Sequence, residues 1–126
     1  MPIRFRYDPE LKMLLTTAEG LVSFEEIQEH LDQEAERRQL ARREIIDAAA
    51  ASTDLTPEDV RKIVGRVQAM MRSSPFGPTA IVTTNDMAFG MARMFAILCE
   101  LRGGPAVEVF HSVSEGRSWL VSASPQ

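Results

Sequence analysis

A chain of 126 residues is long enough for one domain with one core and too short for two ordinary ones. With 44% hydrophobic and 25% charged residues, the composition is that of a globular domain. The net charge of −4 argues against a nucleic-acid partner, which calls for a basic face.

No apolar run approaches the ~20 residues of a membrane span, and the opening MPIRFRYDPE has no apolar core of a secretory signal. A single cysteine, Cys99, cannot close an internal disulfide, so the expectation is a protein of the reducing cytoplasm.

Ile3 to Tyr7 alternates, which puts Ile3, Phe5 and Tyr7 on one face of a strand. Asp8-Pro9-Glu10 is a turn, and Leu11 to Ala18 a second strand that Gly20 ends, making an antiparallel hairpin. Ser23 with Glu26 is a capping box. The helix it opens carries a thin stripe of Phe24, Ile27, Leu31 and Ala35, with His30 expected in solvent. Its second half, Gln33 to Arg43, reads as a solvated end in which Arg37, Arg38, Arg42 and Arg43 suit the helix dipole. Glu44 to Ala49 reads as a strand although its alanines favour helix, because Thr56-Pro57-Glu58-Asp59 is a helix start of its own. Val60, Ile63, Val64, Val67, Met70 and Met71 form the stripe that follows.

Ala80 to Thr83 is a short buried strand. Thr84, Asn85 and Asp86 are cap residues for a helix bearing Met87, Met91, Met94, Phe95, Leu98 and Leu101. Phe89, Ala92, Ala96 and Cys99 leave that helix apolar nearly all round, so it is expected to need cover on two sides. Gly103-Gly104-Pro105 stops it, Ala106 to Phe110 is a last strand, and Val113, Trp119 and Leu120 anchor a terminal helix. The order ββαβαβαβα predicts one α/β domain over 1–121 with a tail at 122–126. Its five-stranded mixed sheet would have an N-terminal antiparallel hairpin, the remaining strands parallel, and helices mainly on one face. The opposite face, with Arg4, Arg6, Lys12, Thr16 and Glu108, is expected to be more exposed.

Three stretches, PIRFRYDPE, IIDAAAASTDLTPEDVRKI and AIVTTNDMAFGMARMF, carry a resemblance that spans nearly the whole chain. It resembles the SpoIIAA-like fold of the anti-sigma-factor-antagonist (STAS) domains, and more closely the small bacterial STAS-like proteins. The resemblance implies a βα superhelix acting as a non-enzymatic regulatory or protein-interaction module. STAS regulators carry a phosphorylated serine in an Asp-Ser-Ser-Gly-like turn at the start of the helix after the third strand. The matching Asp54-Leu55-Thr56-Pro57 keeps only the Thr56 hydroxyl, so Thr56 is the one candidate phosphoacceptor, and the simpler reading is that it caps a helix.

Asp47 is either a buried carboxylate marking a site or a residue at the exposed carboxyl edge of the sheet. Ligands of open α/β sheets bind outside those edges. Asp47, Asp54, Thr84, Asn85 and Asp86 are therefore the candidate polar pocket, with capping as the competing role of the last three. Two histidines and one cysteine without ligand spacing give no metal site, and no catalytic or cofactor motif is present, so neither an enzyme nor a cofactor is expected. Catalysis would need Asp47, Asp86 and His111 to converge. Phe89, Ala92, Arg93 and Ala96 are the expected interface of a homodimer or with another protein. The alternative is a small apolar-ligand domain of the Sec14-like, lipid-carrying kind, with a cavity bounded by Met70, Met87, Met91, Phe95 and Trp119.

Overall fold

The computed structural model describes residues 2–123. Five strands, β1 (Ile3–Asp8), β2 (Met13–Val22), β3 (Arg43–Thr53), β4 (Thr79–Val82) and β5 (Val107–Phe110), lie side by side in chain order. β1 and β2 are antiparallel and every later pairing is parallel, as the alternation of elements implies. The helices are α1 (Phe24–Glu36), α2 (Pro57–Met71), α3 (Asp86–Leu101) and α4 (Val113–Ser122). The last strand-and-helix unit thus reaches Ser122, the first residue of the expected tail, and residues 124–126 lie outside the described residues.

The caps form as their chemistry dictates. Ser23 with Glu26, and Thr56 with Asp59, make reciprocal capping boxes. Asn85 caps α3 and Ser112 caps α4. Strand boundaries moved for identifiable reasons. β2 runs through Gly20, which takes a φ of +71°, and a register shift between Thr17 and Glu19 absorbs the irregularity. β3 continues to Thr53 because its alanines pair with the lengthened β2.

Packing divides between the two faces. Met13, Ile45, Ala80, Val82 and Leu120 form one cluster, joined by Phe110, Val113 and Trp119, so α4 covers the face expected to be the more exposed one. On the other face, Val60, Val64, Cys99 and Val107 join α2 and α3 to β5, and Leu31, Ile63 and Val67 join α1 to α2. Three helices on one face and one on the other agree with a mainly one-sided arrangement.

Two expectations about side-chain placement are overturned. Thr16 shares the inner face with Phe5, its partner in the β1–β2 register, and is 2% exposed. His30 is 9% exposed rather than solvated. The arginine-rich helix end is also different: α1 stops at Glu36, Arg38 takes a left-handed φ of +56°, and no basic residue lies in the last turn. The arginines instead cover the edge hairpin. Arg37 lies over the Phe5 ring and Arg42 over Tyr7, 4.0 Å from its centroid, while Arg43 donates to the carbonyl of Leu11 at 3.0 Å.

Candidate functional site

α1 carries His30 and Glu34 one turn apart, so both side chains project from the same flank of the helix. That flank faces the sheet, and Glu44 of β3 rises to meet it. His30 Nε2 lies 3.2 Å from Glu44 Oε2 and 3.0 Å from Glu34 Oε2. Thr16 Oγ1 donates to Glu44 Oε2 at 2.6 Å, and Phe5 presents its edge to the imidazole at a centroid distance of 5.3 Å. All four polar residues are buried. A single Nε2 hydrogen cannot serve two carboxylates fully, and among the described residues Glu34 Oε2 has no well-directed hydrogen bond beside its ion-pair contact with Nε2, nor has His30 Nδ1 a partner.

The electrostatics follow from that crowding. Burial disfavours a charged His30, but the two carboxylates beside it outweigh burial and lift its pKa to about 10. Burial, reinforced by the Glu44 charge, raises the Glu34 carboxyl to about 8 against the pull of His30. Burial also pushes Glu44 upward, yet the hydrogen bond and charge of His30 win and hold it below the ordinary carboxylate value. The three groups titrate as one unit, in which the environment favours a cationic His30, a protonated Glu34 and an anionic Glu44.

These residues form part of the wall of a cavity of ≈ 210 Å³ between the inner sheet face and α1, α2 and α3. The rest of the wall is almost wholly apolar. Its size comes from small side chains on both sides: Ala18, Ala48 and Ala51 on the strands, Ala88 and Ala92 on α3. Thr83 also lines it, with a buried hydroxyl that has no hydrogen-bond partner among the described residues. Elsewhere, His30 borders a second depression of ≈ 10 Å³ together with Glu26, Glu29 and Gln33.

The sequence-predicted residues are distributed differently. Met91 and Phe95 line the cavity as expected, whereas Met87 is 63% exposed and Trp119 packs beneath the opposite face against Phe110. Asp47, Asp54, Thr84, Asn85 and Asp86 lie outside the cavity wall. Asp47 Oδ1 accepts from its own strand at Ala49 N, Thr84 Oγ1 donates to the Ala49 carbonyl, and Asn85 is occupied as a cap. Thr56 is an exposed cap whose hydroxyl accepts from Asp59 N. Phe89 stacks on His111 at 4.3 Å, Ala92 lines the cavity, and Ala96 packs on the α2–β5 cluster; all three are half-buried, and Arg93 is exposed. Cys99 is fully buried, which raises its thiol pKa to about 11 and makes it a poor nucleophile.

The spacing of histidine and cysteine alone carries no sign of the histidine–glutamate cluster, because two of its three members are glutamates. His30, Glu34 and Glu44 each bring a ligand atom within 4.8 Å of the others, a set chemically able to hold a cation. A signal was present in the spacing of Ile27, His30, Leu31 and Glu34, which puts the two polar residues on the flank of the apolar stripe rather than opposite it.

No family model matches the sequence, and no curated protein matches it. Among solved structures, the chain is similar to an uncharacterized protein of the DUF3478 family with a SpoIIAA-like fold from Shewanella loihica PV-4. The superposition covers 94% of this chain and 91% of that one, with a TM-score of 0.58 and 12% sequence identity. At that identity the likeness establishes the fold, and the chain has a SpoIIAA-like fold.

Proposed function

We propose that this domain binds a small, mostly apolar ligand in the cavity between its sheet and α1–α3, with the ligand's single polar group against the His30–Glu34–Glu44 wall. The observation that carries the reading is the cavity itself, ≈ 210 Å³ with one charged corner. An engineered apolar cavity of roughly 150 Å³ takes up benzene, so this one suits a body of about ten heavy atoms. A long lipid does not fit whole; a short acyl chain or a one- or two-ring aromatic does.

Displacement of a fluorescent apolar dye by eight- to ten-carbon alcohols and acids (about the capacity given above) tests this directly. Binding should disappear in Ala92→Leu, which fills the cavity, while the melting temperature of that variant holds or rises. Equal binding by Ala92→Leu and the parent would refute a ligand seated in the cavity.

A second reading, a homotypic interaction module, is supported by the outward face of α3. Met87, Gly90, Met94, Ile97 and Leu101 recur at alternating spacings of three and four, and Met87, Ile97 and Leu101 are 63%, 47% and 75% exposed. Its occupant is a second copy of the chain, its α3 antiparallel to the first. Layering Met94 on Ile97 of the other copy sets Leu101 over Gly90, where a close approach is open, and brings the exposed Arg93 beside Glu100 at both ends. Light scattering across a concentration series should show a dimer that Arg93→Glu weakens and the double change Arg93→Glu with Glu100→Arg restores. A monomer at every concentration would refute it.

A further inference from the structure

The charged corner of the cavity gathers more carboxylate oxygens than the one imidazole nitrogen facing them can serve. Two carboxylates from different elements, Glu34 of α1 and Glu44 of β3, converge on one imidazole nitrogen. Glu34 is 4% exposed at its side chain, and among the described residues its Oε2, aimed into the cluster, has no well-directed hydrogen bond beside the ion-pair contact with His30 Nε2. A four-coordinate zinc ion with bonds of about 2.0–2.1 Å spaces its ligand atoms roughly 3.3 Å apart. The distances from His30 Nε2 to the two carboxylate oxygens, 3.0 and 3.2 Å, are close to that edge.

The ligand types suit the same ion. A bound cation would displace the protons that His30 and Glu34 hold, and the resulting neutral imidazole and two carboxylates are a donor set for a divalent transition cation, whose charge the two anions balance in a site too buried to carry net charge. His30 and Glu34, four residues apart on a helix, present their donors side by side, and Glu44 on a paired strand supplies the third from a rigid direction. Thr16 donates to Glu44 Oε2 and so fixes the orientation of that ligand, as groups behind a metal centre do. Three protein ligands leave one position of a tetrahedron, and all three border the cavity.

We propose that His30, Glu34 and Glu44 form a binding site for a zinc-class divalent cation, with its remaining coordination position directed to the apolar cavity. The site stands on its own donors and does not rest on the apolar-ligand reading. Where both hold, an anionic or neutral oxygen of the cavity ligand completes the coordination.

The test uses the whole chain, dialysed against chelator and titrated with cobalt chloride and then zinc chloride. One equivalent of cobalt should bind and give the intense visible band of a four-coordinate ion, and zinc should bleach it. In ring-nitrogen spectra, the Nε2 resonance of His30 should move with zinc while the His111 ring stays put. Glu34→Gln should weaken cobalt binding at least about tenfold, the lower end of what loss of even a supporting group costs, and His111→Ala should not. Because the His30 resonance is read on the parent protein, a variant that folds poorly leaves the proposal testable. A weak six-coordinate spectrum, an unmoved His30 ring, or equal binding by Glu34→Gln would overturn it. Dye displacement on the chelator-treated protein separates the two readings: dye binding without cobalt binding removes the metal alone, and cobalt binding without dye binding removes the apolar ligand alone.

Discussion

Thr16 and Glu44 are joined across β2 and β3 by a 2.6 Å hydrogen bond in which the threonine hydroxyl donates to a carboxylate buried from solvent. Hydrogen bonds to charged groups contribute about 1.5–3 kcal/mol, and removing the donor leaves the anion short of a partner it cannot find in water. Thr16→Val keeps the shape and deletes the donor. Urea denaturation should show a loss of about 1.5–3 kcal/mol. A loss within about 0.5 kcal/mol, the range of ordinary surface changes, would mean that Glu44 does not depend on Thr16.

The two glutamates should respond unequally to the same substitution. Glu34 holds its proton near neutral pH, with a pKa of about 8, so glutamine mimics the form already present. Glu44 is the anion that supports a cationic His30, and glutamine there removes it, so that Glu34 must ionise against its own burial or leave His30 uncompensated; loss of one partner of a buried ion pair costs about 3–5 kcal/mol. In chelator-treated protein, Glu34→Gln should melt close to the parent and Glu44→Gln well below it. Equal losses would contradict the assigned protonation.

The same cluster sets how stability varies with pH when no cation is present. His30 has a folded pKa of about 10, above its ordinary 6.5, so its contribution is complete below pH 6.5 and fades as pH rises through 10. Glu34, raised from 4.5 to about 8, also binds its proton more tightly when folded, and its contribution fades between those values. Glu44, held low, acts in the opposite sense and loses its contribution as pH falls below the ordinary carboxylate value. Thermal melts in chelator should therefore peak near pH 5 and decline steadily to pH 10. In Glu34→Gln the decline should begin only above about pH 6.5, the ordinary value of His30. A flat profile from pH 6 to 10 would show that the cluster does not hold these protons.

The architecture was legible because its signals are local. Capping residues at Ser23, Thr56 and Asn85, period-two alternation at Ile3–Tyr7 and the Gly103–Pro105 stop each act within a few residues. The site was not, because it is a property of register. Whether Thr16 faces α1–α3 or α4 depends on how β2 pairs with its neighbours, and a shift of one residue exchanges the faces. His30 and Glu34 looked solvated because charge on a helix usually is; only Glu44, ten residues past Glu34 and on another element, makes burying them tolerable. The alanines of β3 and α3 showed small volume, but that they face each other across a gap is a tertiary fact.

Glycines give the last prediction, because two of them sit in opposite circumstances. Gly77, in the loop before β4, donates from its backbone to the Leu40 carbonyl at 2.9 Å and is pressed against the segment joining α1 to β3. A Cβ built there would lie 2.2 Å from the Arg42 carbonyl oxygen and 2.6 Å from that of Ala41, and both are backbone atoms with no rotamer to yield. Gly77→Ala must move the α1–β3 connection, and with it the chain that aligns Glu34 with Glu44; overpacking of this kind costs about 1–3 kcal/mol or more. Gly65 is exposed on α2, with nothing within 4 Å of its built Cβ. Alanine there removes unfolded-state freedom and should stabilise by about 1 kcal/mol. Paired denaturation curves should move in opposite directions, and the inner-wall cluster should loosen only in Gly77→Ala, read as faster hydrogen exchange at the amides flanking Glu44. A Gly77→Ala protein as stable as the parent would mean that the loop does not press on Arg42, and the placement of β3 beneath α1 would have to be redrawn.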